Sequence, residues 1–308
     1  MPAHVSSAHG TGRRVTFGGV SGGHMADTDL VLVDEPLPRV RRLTLNRPEK
    51  RNALSNELRR QLFARLREGD SDPGTSVLVV RGAGPCFSAG YDLAQDPADR
   101  PARHAAPVDG WWSRHVVEGW FELWDMATPI IAQVHGWCLA GGTELATACD
   151  LVYVADDATI GYPPVRSMSP PDMTWQPWLM GLRRGMEAVL TGDSMTGAEA
   201  VEAGFANRSF PAGALDEATL AVAERVAKVP LELLALNKRT VRRAMDAMGI
   251  RNGIRAGADI QALGFHQPSS RAYMRTLAGD VTGALSQRDG AFGDYRTGGG
   301  GSPGGPPR

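Results

Sequence analysis

Cysteine is scarce in this chain: three residues in 308, Cys86, Cys138 and Cys149. An odd count without metal-ligand spacing excludes a disulfide framework and a zinc ribbon, and leaves buried free thiols in a reducing compartment as the reading. No run reaches the roughly 18 to 20 apolar residues that span a bilayer, so no membrane-spanning segment is expected. The N-terminal stretch has no apolar core of signal-peptide length, which points to a cytoplasmic protein. An excess of either charge is missing as well. Lys and Arg (33) nearly cancel Asp and Glu (34), which offers no field for nucleic acid or an anionic membrane. No His/Cys/Asp cluster marks a metal, and neither a triphosphate loop nor a dinucleotide glycine spacing is present; Ser88 lacks the Gly-x-Ser-x-Gly setting of a hydrolase elbow. What remains is a globular chain, 42% hydrophobic, long enough for a substantial core.

The most informative segment runs from Pro129 to Asp150. Ile130-Ile131-Ala132-Gln133-Val134 is β-branched and bounded by Pro129 and Gly136, so it reads as a strand. Ala140, Gly141 and Gly142 then bare the backbone where a helix begins, and the first amides of a helix have no intrahelical acceptor. The aligned peptide dipoles favour negative charge at that end, so the Gly141 amide is a candidate oxyanion donor. Close strand–helix packing alone also explains the glycines. A second unit has the same design: strand Ser76 to Arg81, a Gly-Ala-Gly-Pro turn, then Cys86-Phe-Ser-Ala-Gly-Tyr-Asp-Leu93. If the two units lie side by side in one sheet, the amides of Tyr91 and Gly141 converge on one carbonyl oxygen.

The chain between these points alternates strands with helices. Val40–Leu45, Val77–Arg81, Ile130–Val134 and Leu151–Ala155 read as strands, and Asn56–Arg67 and Gly142–Cys149 as helices, the rhythm of a mostly parallel sheet with crossover helices. After about Phe210 only helices are expected, over 214–229 and 231–248, the second with Leu234, Val241, Met245 and Met248 on one face. Residues 1–26 read as a flexible extension, 27–210 as a core, 211–295 as a helical segment and 296–308 as a Gly/Pro-rich disordered tail. The cluster Lys238, Arg239, Arg242 and Arg243 reads as an exposed helical face.

Four motifs stand in the order and spacing of the enoyl-CoA hydratase/isomerase, or crotonase, superfamily. They are Asn46-Arg-Pro-Glu-Lys-Arg-Asn-Ala-Leu54, Phe87-Ser-Ala-Gly-Tyr-Asp-Leu93, His135 to Ala146 with Cys149-Asp150, and Leu190 to Ala200 with Gly204-Phe205. The resemblance covers roughly Asp27 to Tyr295. It implies an α/β fold, a spiral of repeated ββα units with a C-terminal helical segment, assembled as a homotrimer or a dimer of trimers. It also implies an enzyme of fatty-acid type metabolism acting on an acyl-CoA thioester without a separate cofactor, CoA being part of the substrate. The Tyr91 and Gly141 amides then polarise the thioester carbonyl, and Glu144 matches one of two glutamates that hydratases use on water. The second falls at Pro164, in Ile160-Gly-Tyr-Pro-Pro-Val-Arg166.

A proline carries no proton, so isomerase-like chemistry through an enolate is favoured over hydration, which normally wants both an acid and a base. The next carboxylate, Asp172, stands near a working aspartate of some relatives, including dienoyl-CoA isomerases and a dehalogenase. An N-cap role in Pro-Pro-Asp is the preferred reading. Glu144 could equally complement its helix dipole, but the family position favours function. Lys50, Arg51 and Arg288 are candidates for the CoA phosphates. The breaker-rich stretch Ala94–Thr128 is expected to set specificity, with Ala89, Asp92, Leu93, Trp112, His115 and Trp137 as candidate substrate contacts; core packing is the competing role of the aromatic ones. The alternatives are a CoA carrier without turnover and a divergent crotonase hydrolase using Asp172.

Overall fold

The computed structural model describes residues 29–94 and 111–295. The expected extension, the tail and the middle of the Ala94–Thr128 stretch lie outside the described residues. A six-stranded sheet has the order β1 (Val31–Leu37), β2 (Val40–Leu45), β3 (Val77–Gly82), β4 (Ile130–Val134), β6 (Leu151–Ala155), β8 (Arg208–Phe210). Only the β1–β2 pair is antiparallel; every later pair is parallel. A second, two-stranded parallel sheet joins β5 (Trp137–Leu139) to β7 (Thr159–Gly161). The expected α/β class and helical C-terminal segment are therefore present.

Each crossover follows from its residues. Helix α1 (Asn56–Ser71) starts where the Ser55 side chain accepts the Leu58 amide, and buries Leu58, Leu62 and Leu66 at four-residue spacing. Strand β4 is buried at all five positions, as a parallel strand covered on both faces requires. α2 (Glu118–Asp125) buries Trp120, Phe121, Leu123 and Trp124. α3 (Gly141–Ala148) is buried at every residue; its Gly, Ala and Thr side chains let neighbouring backbone approach closely. The three thiols are buried and free.

Past β7 come α4 (Gln176–Thr191) and α5 (Gly197–Ala203), then, after β8, α6 (Leu215–Ala227), α7 (Leu231–Ala247), α8 (Ile250–Phe265), α9 (Pro268–Gly279) and α10 (Val281–Gly290). Among the described residues no helix is long and apolar enough to cross a membrane.

Two expectations for α7 are corrected. Leu234 is buried, but Val241 and Met248 are 64% and 68% exposed, so the four apolar residues do not form one packed stripe. Nor is the basic cluster wholly a solvent face. The Lys238 ammonium donates to the carbonyls of Leu123 (2.8 Å) and Thr128 (3.2 Å) and pairs with Asp150 at 2.8 Å, where Arg242 also docks at 2.9 Å. Asp150 in turn accepts the Ile130 amide at 2.9 Å. The packed seam of α7 runs through the aliphatic stems of basic residues, which cover apolar surface while their heads find partners; only Arg239 and Arg243 face solvent.

Candidate active site

The two glycine turns lie against each other because β3 and β4 are neighbours. Beyond the strand ends the chains continue in parallel: Phe87 donates to the His135 carbonyl (2.8 Å), Ser88 to that of Trp137 (2.9 Å), and Leu139 back to Ser88 (3.0 Å). Gly90 has φ +98°, and a Cβ there would meet the Leu139 carbonyl oxygen at 2.8 Å and the Gly141 nitrogen at 3.3 Å. The residue before Tyr91 is thus packed on the Gly141 amide. That amide has no acceptor among the described residues. Ala140 enters the helix at φ +48°, ψ −119°, a strained geometry for a residue with a Cβ. The loop is braced from beneath by Asn52, fully buried, which donates to the carbonyls of Ala83 and Cys86 and accepts the Arg47 amide.

Glu144 sits one turn into α3 and is fully buried. Its Oε2 accepts from the Tyr91 hydroxyl and, at 3.2 Å, from the Trp120 indole N–H, which also lies 3.0 Å from the Tyr91 oxygen. Its Oε1 is 3.0 Å from the Tyr162 hydroxyl, and that same hydroxyl is 2.6 Å from Asp172 Oδ1. Asp172 Oδ2 is buried without a partner among the described residues. Burial, and then the charge of Asp172, pushes the Glu144 carboxyl well above its ordinary range. Burial, followed by the two carboxylates, also raises both the Tyr91 and the Tyr162 phenol, so they remain donors.

One cation shares this interior. Arg59 is 1% exposed; its guanidinium lies 5.0 Å from the Trp120 ring centre and 5.9 Å from that of Tyr91, and donates to the His115 carbonyl at 3.0 Å. Its Nε and Nη1 have no hydrogen-bond partner among the described residues. Two buried carboxylates beside one buried guanidinium are charge-balanced when they share a single proton, since two like charges this close cannot both ionise cheaply.

A cavity of about 720 Å³ opens on this cluster. Tyr91, Tyr162 and Asp172 line it, together with Pro164 and, from the C-terminal helices, residues such as Phe265 and Leu277; Glu144 is not among its walls. Of the expected substrate contacts, Arg51, Ala89, Asp92, Leu93, Trp137 and Arg288 line it. Arg51 stacks over Trp137 at 4.8 Å. Asp92 is held by Arg47 at 2.7 Å, and Arg288 by Asp289 at 2.7 Å. Lys50 is exposed at the end of a 3-10 turn and is not part of the wall. His115 is likewise not brought to this cavity: it lines a separate one with Arg47, Arg59 and Glu118, and burial followed by the Arg59 charge lowers its imidazole to about 4. The backbone of Trp112 lies in a helical turn, Trp111–Val117, and its side chain is outside the described residues.

The helix-cap reading of Asp172 is corrected. α4 begins at Gln176, with Trp175 in the capping position and no side-chain cap. Met173 and Trp175, 0% and 3% exposed, anchor the segment in the core, and this carries Asp172 inward to Tyr162.

Known proteins resemble this chain in sequence and in fold. The enoyl-CoA hydratase/isomerase family profile matches residues 38–277. The chain belongs to the enoyl-CoA hydratase/isomerase family. EchA13 of Mycobacterium tuberculosis, which carries the enoyl-CoA hydratase name, is 35% identical over 230 residues, 68% of this chain and 72% of the relative. A crystal structure of an enoyl-CoA hydratase from Mycobacterium smegmatis superposes with TM-score 0.79 at 30% identity, covering 87% of this chain and 96% of that one. An enoyl-CoA hydratase/isomerase from Xanthobacter autotrophicus Py2 gives 0.77 at 32% identity, with 85% and 98% coverage. The chain is accordingly an enoyl-CoA hydratase/isomerase family enzyme, with an acyl-CoA as the substrate class consistent with that membership.

Three residues of the family member's site were not legible as such. Tyr162 was visible only as a neighbour of Pro164; its place at the end of β7, beside the turn that holds Pro164, was the available signal. Trp120 was not singled out; it lies in the stretch Ala94–Thr128, where core packing competes with a substrate role for the aromatic residues, and it is fully buried. Arg59 left the faintest trace, a cation among the apolar positions Leu58, Leu62 and Phe63 of α1.

Proposed function

We propose that this enzyme shifts a double bond in an enoyl-CoA thioester through an enolate, with the Tyr91 and Gly141 amides facing the thioester oxygen and the Glu144/Asp172 pair moving the proton. The observation that carries this reading is the pair itself: two buried carboxyls joined by one tyrosine hydroxyl, next to an amide without an acceptor. Charge developing on a thioester oxygen is stabilised by such a fixed donor, and removing one typically costs about 100- to 1000-fold in rate. Burial raises the Glu144 carboxyl and so suits it to give a proton, while Asp172 lines the cavity and can take one, roles each worth about 100- to 10,000-fold. Pro164 supports isomerisation over hydration, since no second glutamate stands there to act on water. Arg51, stacked on Trp137, is the wall cation suited to a CoA phosphate, whereas Arg288 is held by Asp289. The exposed apolar residues Leu182, Met186 and Leu190 on α4 support assembly as a homotrimer or a dimer of trimers, and three buried free thiols suit a reducing cytoplasm.

A panel of 2-enoyl, 3-enoyl and dienoyl thioesters tests the proposal with the wild type, Glu144→Gln and Asp172→Asn. The expected result is conversion of the 3-enoyl substrate, weak hydration of the 2-enoyl one, and loss of conversion by at least about 100-fold in either variant. Tight binding without turnover across the panel favours a carrier instead, and thioester hydrolysis that depends on Asp172 favours the hydrolase.

A further inference from the structure

We propose that Tyr162 is the acid of this site, handing its phenolic proton to the substrate and being reloaded by Glu144, while Asp172 is the base. The inference rests on the enolate reading above. Of the two carboxyls only Asp172 lines the cavity; Glu144 is screened from it by the two tyrosines that it binds. Tyr162 lines the cavity and touches both, 3.0 Å from Glu144 Oε1 and 2.6 Å from Asp172 Oδ1. Asp172 Oδ2, buried and without a hydrogen-bond partner among the described residues, is the carboxylate oxygen with acceptor capacity to spare. Tyr91 is a poorer conduit, because its oxygen already accepts from Trp120 at 3.0 Å.

Arg59 sets the proton count. Its one positive charge is balanced by one ionised carboxylate, so the other carries a proton. The order Glu144 carboxyl to Tyr162 oxygen, Tyr162 hydroxyl to Asp172 carboxylate gives every group along the line its partner. In the reaction, the Cα–H bond of a 3-enoyl thioester breaks: the proton goes to Asp172 Oδ2 and the electron pair forms the dienolate. The dienolate then takes the Tyr162 proton at Cγ, forming the new C–H bond, while the Glu144 proton moves to the phenolic oxygen. Asp172 ends protonated and Glu144 ionised, with total charge unchanged. Return of that proton through Tyr162 to Glu144 resets the site.

The scheme separates two steps that a single shuttling carboxylate would join. In deuterated water, NMR follows exchange of the substrate Cα–H and formation of the 2-enoyl product independently. Wild type is expected to do both, with solvent-derived hydrogen at Cγ; Asp172→Asn is expected to do neither. Tyr162→Phe should keep Cα–H exchange and an unchanged KM but lose kcat for isomerisation by about 100-fold or more. Glu144→Gln, which removes the reload without touching the cavity wall, should give the same split and carries the test if the phenylalanine variant fails to fold. Isomerisation at the wild-type rate by folded Tyr162→Phe overturns the relay and leaves the enolate reading standing. Absence of both exchange and isomerisation in the wild type overturns the reading beneath it.

Discussion

Gly141→Ala perturbs the site at the point where its two loops meet, and its effect can be worked out from distances. A Cβ at 141 would lie 2.7, 2.8 and 2.9 Å from Cε2, Cδ2 and Cζ of Tyr91, whereas carbons rest comfortably at about 3.5 to 4.0 Å. The ring is rigid, so it must retreat by about 1 Å. Its hydroxyl then leaves both Glu144 and the Trp120 indole, each hydrogen bond worth about 0.5 to 1.5 kcal/mol net. With the strain of overpacking, a loss of about 1 to 3 kcal/mol in stability is expected. Turnover should suffer more, because misplacing reacting groups by about 1 Å costs about 100-fold. The assay is kcat/KM on a 3-enoyl thioester beside the urea midpoint. Adding Tyr91→Leu removes the ring that is struck, so the stability losses of the two changes should fall short of additive. A Gly141→Ala enzyme with wild-type kcat/KM and an unmoved midpoint would refute the packing argument and with it the proximity of the two turns.

Three further outcomes follow from the same structure. Glu144 is raised above its ordinary value near 4.5; a raised carboxyl adds stability that is complete below that value and is lost as pH climbs through the folded-state value. The stability of wild type relative to Glu144→Gln should therefore fall as pH rises above about 4.5, and a difference that grows with pH would contradict the burial argument. Asn52→Ala removes three hydrogen bonds beneath the two glycine turns and takes away a residue type suited to its φ of +52°. A loss of about 2 to 4 kcal/mol by chemical denaturation is expected, well above a surface substitution. Burial pushes the Cys86 thiol up to about 11 and leaves Cys138 and Cys149 higher still, so a thiol reagent at pH 8 should label none of the three in the folded protein and all three in urea.

The strand and helix positions were legible because they depend on short-range pattern. Ile130–Val134 and Leu151–Ala155 are strands at the expected bounds, and α3 is displaced by a single residue; a β-branched run between breakers leaves little freedom. Reading failed where a residue's role depends on what approaches from elsewhere in the chain. Pro-Pro-Asp looks like a helix start, and yet Met173 and Trp175 pull Asp172 into the core. Lys238 and Arg242 look like solvated charges, and yet they close on Asp150, some 90 residues away along the chain. His115 was a substrate candidate weighed against core packing, and it lines a separate cavity with Arg47, Arg59 and Glu118.

The sequence by itself determined the family and the two glycine turns, and it singled out Glu144, Gly141 and Tyr91, because strand–turn–helix units are local and their spacing is written in the chain. Only the tertiary structure decided that Glu144 lies behind Tyr162 rather than in the cavity wall, that Asp172 shares its hydroxyl, and that α8, α9 and α10 return to close the same cavity. The physical reason is that a carboxyl's proton affinity and reach are set by what surrounds it within a few ångströms. Those neighbours, Arg59, Tyr91, Trp120, Tyr162 and Asp172, come from five separate stretches of the chain.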